Sequence, residues 1–419
     1  MPSLPALPTF PARTPARLAA VALAFAAAVT GAVVTGTVAD ATDKRPPRGA
    51  AVQQAELVAR AVLPAQTFGE AIPSGSAITA ANGITPPFAA QPVQGFSSVL
   101  PQRDGTLLAL SDNGYGAKAN SADFLLRVTR LRADLSGSPA GKVQVLGGFG
   151  LSDPDNKVPF PLTRPDRRLT GADFDLESFR QLPDGTFWFG EEFGPFLLHT
   201  DARGRLLDAP VPLPAVASPD DPLRRPATLG GSKGFEGLAL TTDAERLLAL
   251  LEGPVTGDNP QDLRINTFDL RSQTFDKRFL RYRLEHPTSA IGEITAVDAN
   301  RYLVLERDNG QGATARFKAV YLIDTRDRDK DGYVDKTLLV NLLAVPDPRA
   351  LGGDGPFFRF PFTTIESVAL LDDETILVAN DNNFPFSSGR TPGAADDNEI
   401  IAIRLGTPLD ADRRALQPR

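Results

Sequence analysis

Cysteine is absent from this chain of 419 residues, and histidine, methionine and tryptophan occur only two, one and one times. Without cysteine there is no disulfide framework, no thiolate metal site, no cysteine nucleophile and no lipidated cysteine anchor. The two histidines, His199 and His286, offer little material for an imidazole-rich zinc site or for histidine acid–base catalysis. The sequence also has no phosphate-binding P-loop and no HExxH metal motif. Residues 230–234 match the pattern GxSxG, but no helical pattern follows them, so we interpret them as a turn that places Lys233 beside Glu236 rather than as a nucleophile elbow.

Basic residues are fewer than acidic ones. The chain has 44 basic and 51 acidic residues, a formal net charge of −7 and a pI of about 5.1. This balance argues against nucleic-acid binding through a basic surface. With 42% hydrophobic residues the chain has enough apolar material for a large core, and its 36 glycines and 37 prolines indicate many turns between short elements.

Residues 1–41 have the features of a secretory signal. Arg13 and Arg17 precede a nearly unbroken apolar segment over residues 18–34, and small residues at 38–41 offer a cleavage site. An uncleaved membrane anchor is the alternative, because the apolar segment approaches the ~20 residues that span a bilayer. We expect export by a bacterium to the periplasm or the medium, with no stable membrane partner once the signal is removed.

The rest of the chain has no composition break that would mark a second domain. Residues 42–55 are interpreted as a polar tether, residues 56–410 as one folded domain and residues 411–419 as a tail.

One pattern recurs five times along the domain. An apolar residue with a neighbouring Glu or Ser opens a short apolar strand, a turn that usually contains Asp follows, and a second strand ends in acids and amides. Each repeat predicts a β-hairpin, and the recurrence favours an all-β propeller over two β-sandwich domains. Five repeats plus one blade closed by both chain ends, with Leu57–Leu63 beside Glu399–Leu405, predict six blades. The repeats begin near residues 97, 177, 236, 293 and 366.

Acidic residues at the same place in each repeat are the candidate site. Because the inner strands of a propeller run along its central channel, equivalent side chains converge on the axis. Carboxylates this close must either bind cations or acquire raised pKa values, and without His or Cys the expected ion is a hard one, Ca²⁺ or Mg²⁺. The candidate catalytic residues are Glu177, Glu236, Glu293, Glu366, Lys233 and Arg307, and the candidate axial metal ligands are Glu192, Glu306 and Asp308.

Two interpretations of these glutamates stay open. In the first they bind metal or substrate, with Lys233 and Arg307 stabilising an anionic substrate. In the second each Glu is structural and accepts hydrogen bonds from the backbone of the neighbouring blade.

A second acidic motif has the spacing of a calcium loop. Oxygen ligands stand at loop positions 1, 3, 5, 7 and 9, with Gly332 at position 6 for the sharp turn. Position 12 is Leu338 rather than Glu, so a bidentate ligand would have to come from elsewhere. We predict a structural calcium site here, with an acidic surface hairpin as the alternative. The predicted ligands are Asp327, Asp329, Asp331, the carbonyl of Tyr333, and Asp335.

Several of these segments resemble the bacterial phytase-like family, described as having esterase-like activity of phytase. The resemblance rests on residues 176–179, 184–188, 190–195, 234–239, 306–308 and 380–385, and extends over about residues 65–405. It implies an exported β-propeller and a calcium-dependent phosphoester hydrolase. The ligand motifs of the well-characterised propeller phytases do not match residue by residue, so no ligand is transferred from them.

Together these observations predict an exported, monomeric hydrolase that uses Ca²⁺ to cleave a small anionic phosphate ester. Two alternatives stay open: a lactonase- or esterase-type propeller acting on neutral esters, and a propeller that binds a ligand without catalysis. Replacing Lys233 and Arg307 would separate the first two, since only a phosphatase needs those positive charges.

Overall fold

The computed structural model describes residues 55–139, 141–353 and 355–416. These residues belong to one compact unit. The predicted signal and residues 42–54 of the predicted tether lie outside the described ranges. Within those ranges, no helix has the length and apolar character needed to cross a membrane.

Almost all regular structure in the described ranges is β-strand. Two short 3₁₀ helices (Lys118–Asn120 and Gly312–Thr314) and one α-helix, α1 (Arg413–Leu416), complete it. In chain order the strands are β1 (Glu56–Leu63), β2 (Phe96–Pro101), β3 (Leu107–Ser111), β4 (Arg127–Ala133), β5 (Gly141–Gly150), β6 (Leu176–Gln181), β7 (Phe187–Glu191), β8 (Phe196–Thr200), β9 (Val211–Pro212), β10 (Phe235–Leu240), β11 (Arg246–Leu251), β12 (Asp262–Asp269), β13 (Thr274–Arg283), β14 (Ala290–Ala296), β15 (Arg301–Arg307), β16 (Lys318–Asp324), β17 (Asp335–Asn341), β18 (Val345–Pro346), β19 (Phe357–Phe358), β20 (Thr364–Leu370), β21 (Thr375–Asp381) and β22 (Asn398–Arg404).

The strands form antiparallel blades in the order of the sequence repeats. Blades 1 to 4 are β2–β5, β6–β9, β10–β13 and β14–β17, and blade 5 is β20, β21, β22 and β1. The inner strands β2, β6, β10, β14 and β20 each contact the next one, and β20 contacts β2, so the ring closes. The predicted all-β propeller is confirmed.

The described strands make five blades, not the predicted six. The expected pairing of the two chain ends is present, because β1 runs antiparallel to β22 with Leu57 opposite Ile403 and Leu63 opposite Asn398. This pairing completes the fifth repeat and adds no further blade. A short parallel pairing of β1 with β5, at Ala61 opposite Gly141, ties blade 5 to blade 1 and closes the ring at its outer edge as well.

Apolar side chains fill the spaces between blades. Between blades 1 and 2, for example, Phe149 of β5 packs against Phe187 of β7 with ring centroids 5.3 Å apart. Ring contacts and close packing hold the inner strands in fixed relative positions. The side chains that face the channel are therefore presented by a rigid frame.

The two ends of the channel differ. At the end where the inner strands finish, α1 and the last residues of β2, β6, β10, β14 and β20 line a pocket that is open to solvent. In the segment predicted as a tail, Ala411, Ala415 and Leu416 pack on the apolar core. The candidate site lies at the other end, where the inner strands begin.

Candidate metal centre

Each inner strand begins with a β-bulge at the same position. In every blade a buried apolar residue pairs with the neighbouring strand, the next residue is left out of the ladder, and pairing resumes after it. A bulge leaves its extra residue unpaired and re-aims its side chain. The bulge residues of blades 1 to 5 are Ser97, Glu177, Glu236, Gly292 and Glu366.

A second ring of residues stands at the end of the second strand of each blade or directly after it. On the second strand, the residue that pairs with the apolar residue before the bulge points away from the axis. Because side chains alternate along a strand, the next residue points toward the axis. Four of these five residues are acidic and the one from blade 4 is basic. They are Asp112, Glu192, Glu252, Arg307 and Asp381.

Three carboxylates from blades 2 and 3 form a compact triad, which we call the axial triad. Each of Glu177, Glu192 and Glu236 offers an oxygen within 4.8 Å of the other two. Glu192 Oε1 and Glu236 Oε1 are buried and have no hydrogen-bond partner. Buried carboxylate oxygens without partners are costly, and coordination of a cation would satisfy both of them. An all-oxygen donor set suits Ca²⁺ or Mg²⁺.

Asp175 joins this cluster without having been predicted from the sequence. Its carboxylate lies within 4.8 Å of oxygens of Asp112 and Glu177, and it accepts a hydrogen bond of 2.7 Å from Asn113 Nδ2. The sequence signal for Asp175 is its position directly before Leu176, the apolar residue that precedes the bulge in blade 2. The equivalent residue of blade 3 is Gly234.

The cluster carries far more acid than base. Burial, and then neighbouring carboxylates, raises the pKa of each axial-triad glutamate well above its ordinary range. Burial likewise raises the pKa of Asp175 to about 6 and that of Glu366 to about 8. A divalent cation would reverse this by favouring the ionised forms. The carboxyl groups are Asp112, Asp175, Glu177, Glu192, Glu236, Glu252, Glu366 and Asp381, and the basic groups against them are Lys233 and Arg307.

The two basic residues differ in their access to solvent. The Lys233 side chain is 36% exposed and its Nζ forms an ion pair with Glu252 at the rim of the cluster. Arg307 is almost completely buried, with Nη2 3.2 Å from Glu252 Oε1, 3.3 Å from Glu366 Oε1 and 3.7 Å from Glu236 Oε1. Lys233 is therefore the one of the two that is placed to meet a substrate.

Glu293 does not lie with the other three predicted glutamates. In blade 4 the bulge residue is Gly292, so Glu293 is one residue out of register and faces a deeper part of the channel. There it accepts a hydrogen bond of 2.7 Å from Ser98 Oγ and lies 3.1 Å from Arg180 Nη2. The backbone N–H groups of Leu238 and Ile294 also donate to it. Glu293 is fully partnered within the channel wall.

Glu306 and Asp308 also lie outside the cluster. Glu306 points away from the axis and accepts hydrogen bonds from Tyr282 Oη and Lys336 Nζ, both at 2.6 Å. Asp308 organises the loop after β15 by accepting from the backbone N–H groups of Arg316 and Phe317. Of the three predicted axial ligands, the structure brings only Glu192 to the axis.

The predicted calcium loop forms the turn between β16 and β17. Carboxylate oxygens of Asp327, Asp329 and Asp331 lie within 4.8 Å of one another, and Gly332 adopts the left-handed conformation with φ of 90°. The Asp335 carboxylate accepts from the N–H of Arg328, and the Tyr333 hydroxyl donates to Asp262 across to blade 3. Position 12, Leu338, is exposed on β17 and supplies no ligand.

Neither histidine takes part in the centre. The imidazole of His199 stacks on Trp188 with a centroid distance of 4.5 Å, and its Nδ1 is hydrogen-bonded to Asp208. His286 packs edge-on against Phe317. Both contacts lie away from the acidic cluster.

Comparison with known proteins identifies a family. The model of the phytase-like family, described as esterase-like activity of phytase, matches residues 91–384, well over half of the chain. The chain belongs to this family. The phytase-like segment contains the inner strands of all five blades and every residue of the acidic cluster.

More distant similarities were also found for this phytase-like chain. An uncharacterized secreted protein of Arthroderma benhamiae is 24% identical over 179 residues, which cover 33% of this chain and only 35% of that protein. A crystal structure of a protein of unknown function from Dyadobacter fermentans is 12% identical, covering 84% of this chain and 99% of that one, with a TM-score of 0.42. A luciferin-regenerating enzyme is 12% identical over 73% of this chain and 76% of the other, with a TM-score of 0.34.

Proposed function

We propose that this phytase-like protein is an exported hydrolase of phosphate esters that depends on Ca²⁺ held by the axial triad. Membership of a family described by esterase-like activity supports hydrolysis, and the secreted relative supports export. The observation that carries the choice of site is a pair of buried oxygens that accept no hydrogen bond, Glu192 Oε1 and Glu236 Oε1, on carboxylates that converge with Glu177.

When bound, the ion would lower the pKa of a water molecule and polarise a phosphoryl oxygen. Glu177, Glu192 and Glu236 would hold it, and the rigid inner strands fix their relative positions. Asp112 and Asp175, which border Glu177, are the proton acceptors that the chain offers next to that position.

Two lysines at the rim are the groups placed to bind the negative charge of a substrate. Lys233 extends over Glu252 and is partly exposed. Lys118 lies over the Phe193 ring, with Nζ 5.0 Å from the ring centroid, and donates to the carbonyl of Asp220. Positive charge above an acidic metal centre favours an anionic ester over a neutral one. Arg307 is not assigned to the substrate, because its guanidinium is already committed to three carboxylates.

The test is an assay of the purified protein on a panel of phosphomonoesters, with calcium or with a chelator. We expect turnover that needs calcium and that is lost in Glu192→Gln but kept in Glu306→Gln, a matched change at a buried glutamate outside the cluster. Absence of calcium-dependent turnover on every phosphomonoester would contradict the proposal.

A neutral-ester hydrolase is the second candidate, favoured by the esterase description of the family and by the burial of Arg307. Lys233→Met distinguishes the two. For a phosphoesterase it should lower kcat/KM at least about tenfold, since it removes a charge that contacts the phosphoryl group. For a neutral-ester hydrolase kcat/KM should change by less than about twofold.

A further inference from the structure

We infer that Arg307 is a built-in cation that fills a second ion position on the axis, formed by Glu236, Glu252 and Glu366. In this position it confines the divalent ion to the axial triad on the side of blades 2 and 3. This inference rests on the proposed function for the first ion and adds the number of ions that the axis holds and the residue that sets it.

The geometry around the guanidinium is that of a cation among carboxylates. A single nitrogen, Nη2, lies 3.2 Å from Glu252, 3.3 Å from Glu366 and 3.7 Å from Glu236, one oxygen from each. These glutamates come from blades 3 and 5, the two neighbours of blade 4. The other terminal nitrogen, Nη1, donates to Asn309 Oδ1 at 2.6 Å, which fixes the direction of the side chain.

Comparison of the five described blades shows that blade 4 is exceptional at both rings. It has the only basic residue at the strand-end position, where the other blades have Asp or Glu, and the only glycine at the bulge. A Cβ on Gly292 would lie 2.3 Å from the carbonyl oxygen of Ile365, so no side chain fits there. Blade 4 therefore contributes no carboxylate to either ring and contributes one positive charge instead.

The arrangement splits the acidic cluster into two halves. Arg307 is in contact with Glu236, Glu252 and Glu366, whereas Glu192 Oε1 has no hydrogen-bond partner and Glu177 lies on the side of Asp112 and Asp175. Glu236 belongs to both halves, with its Oε1 closer than 4 Å to Arg307 yet without a hydrogen bond. Arg307 is thus a positioning residue that orients a ligand of the first ion.

The experiment counts bound calcium in proteins that differ at residue 307. The background is the full chain with Asp329→Asn and Asp331→Asn, two substitutions chosen to abolish the calcium binding predicted for the surface loop. Calorimetric titration and equilibrium dialysis should give one ion per chain for this background and two for the same chain with Arg307→Met. Arg307→Lys, which retains the charge, should stay at one.

The outcomes separate this inference from the proposed function. One ion in both the background and the Arg307→Met protein overturns the inference alone. No ion in the background overturns the proposed calcium centre and the inference with it. If Arg307→Met folds only in the presence of calcium, its unfolding midpoint should depend on the logarithm of calcium concentration with about twice the slope of the background, because two ions are released on unfolding. Equal slopes would overturn the inference.

Discussion

Glu293 and the axial glutamates Glu192 and Glu236 line the same central channel, and they differ more in their partners than in their burial. Glu293 is 1% exposed and has an arginine, a hydroxyl and two backbone N–H groups as partners. Glu192 and Glu236 are each 3% exposed, and each has one oxygen that accepts no hydrogen bond. Burial alone therefore does not identify a metal ligand. The oxygens of Glu192 and Glu236 that accept no hydrogen bond make these two residues the better candidates, because a bound cation would satisfy them.

The difference arises from a shift of one residue. The apolar residue before the bulge is followed directly by Glu in blades 2, 3 and 5, but by Gly292 in blade 4. Glu293 consequently faces Arg180 of blade 2 rather than the axial cluster. The side of a bulge that a glutamate occupies therefore decides whether it faces the axial cluster or the partners of Glu293 deeper in the channel.

The largest expected effect is on stability, when Glu293 loses its arginine partner. Arg180→Met leaves Glu293 as an unpaired buried charge, which should lower the free energy of unfolding by about 3–5 kcal/mol. Calcium binding at the axial triad should not change. Urea unfolding and calorimetry measure the two quantities. The control is Arg205→Met, whose ion pair with Asp155 is exposed and should be worth less than about 1 kcal/mol. If Arg180→Met left the free energy of unfolding unchanged, the distinction between Glu293 and the axial glutamates would be lost.

The next largest effect is expected on calcium affinity, at Glu192. Glu192→Gln should weaken axial calcium binding at least about 100-fold, the upper end of the loss seen when even an outer-shell group is removed. Its stability in chelator should not fall, because the neutral amide would relieve repulsion among the carboxylates. Glu306→Gln is the matched control and should keep calcium affinity within about threefold. Equal calcium affinities for the two variants would contradict the assignment of the triad.

A third test uses pH. Burial raises the pKa of Glu366 to about 8 from an ordinary value of 4.5, so between these values the folded protein binds more protons than the unfolded chain. In chelator, the contribution of this group to stability should therefore be full below about pH 4.5 and fall as the pH rises toward 8.

Calcium should compensate for this loss, since binding needs ionised carboxylates. At pH 8 a tenfold excess of free calcium over its Kd should add about 1.4 kcal/mol to the free energy of unfolding. The increment at pH 5, at the same calcium concentration, should be smaller. Thermal unfolding at both pH values measures this increment, in the chain that carries Asp329→Asn and Asp331→Asn. An increment independent of pH would indicate that calcium acts elsewhere.

The smallest effect concerns the loop between β16 and β17. Asp329→Asn with Asp331→Asn should remove one bound calcium ion, while turnover changes by less than about twofold, because the loop lies at the outer edge of blade 4. Metal analysis and the phosphomonoester assay check the two parts. Loss of turnover comparable to that of Glu192→Gln would place the loop within the functional site.

Much of the architecture could be predicted from the hairpin repeats. The alternation of apolar strands with Asp-containing turns indicated the propeller, and the recurrence of Glu brought Glu177, Glu236 and Glu366 to one place. The recurrence of Glu does not predict the position of Glu293, because blade 4 has glycine at the bulge and Glu one residue later. Alignment on the apolar residue, Ile291 in blade 4, gives Gly292 as the equivalent residue.

Other features depend on contacts between distant segments and have no local signal. Whether the chain ends form a separate blade or complete blade 5 depends on which strand β1 joins. The direction in which Arg307 points depends on carboxylates supplied by two other blades. Glu306 was expected at the axis, but its partners Tyr282 and Lys336 come from other strands and hold it away.

The most direct measurement is anomalous diffraction from crystals of the full protein grown with calcium, or with strontium in its place. We expect one strong peak on the channel axis, bounded by Glu177, Glu192 and Glu236, with Arg307 unmoved beside Glu252 and Glu366. A map with no axial peak, in crystals whose surface loop at Asp327 to Asp331 is fully occupied, would contradict the proposed metal centre.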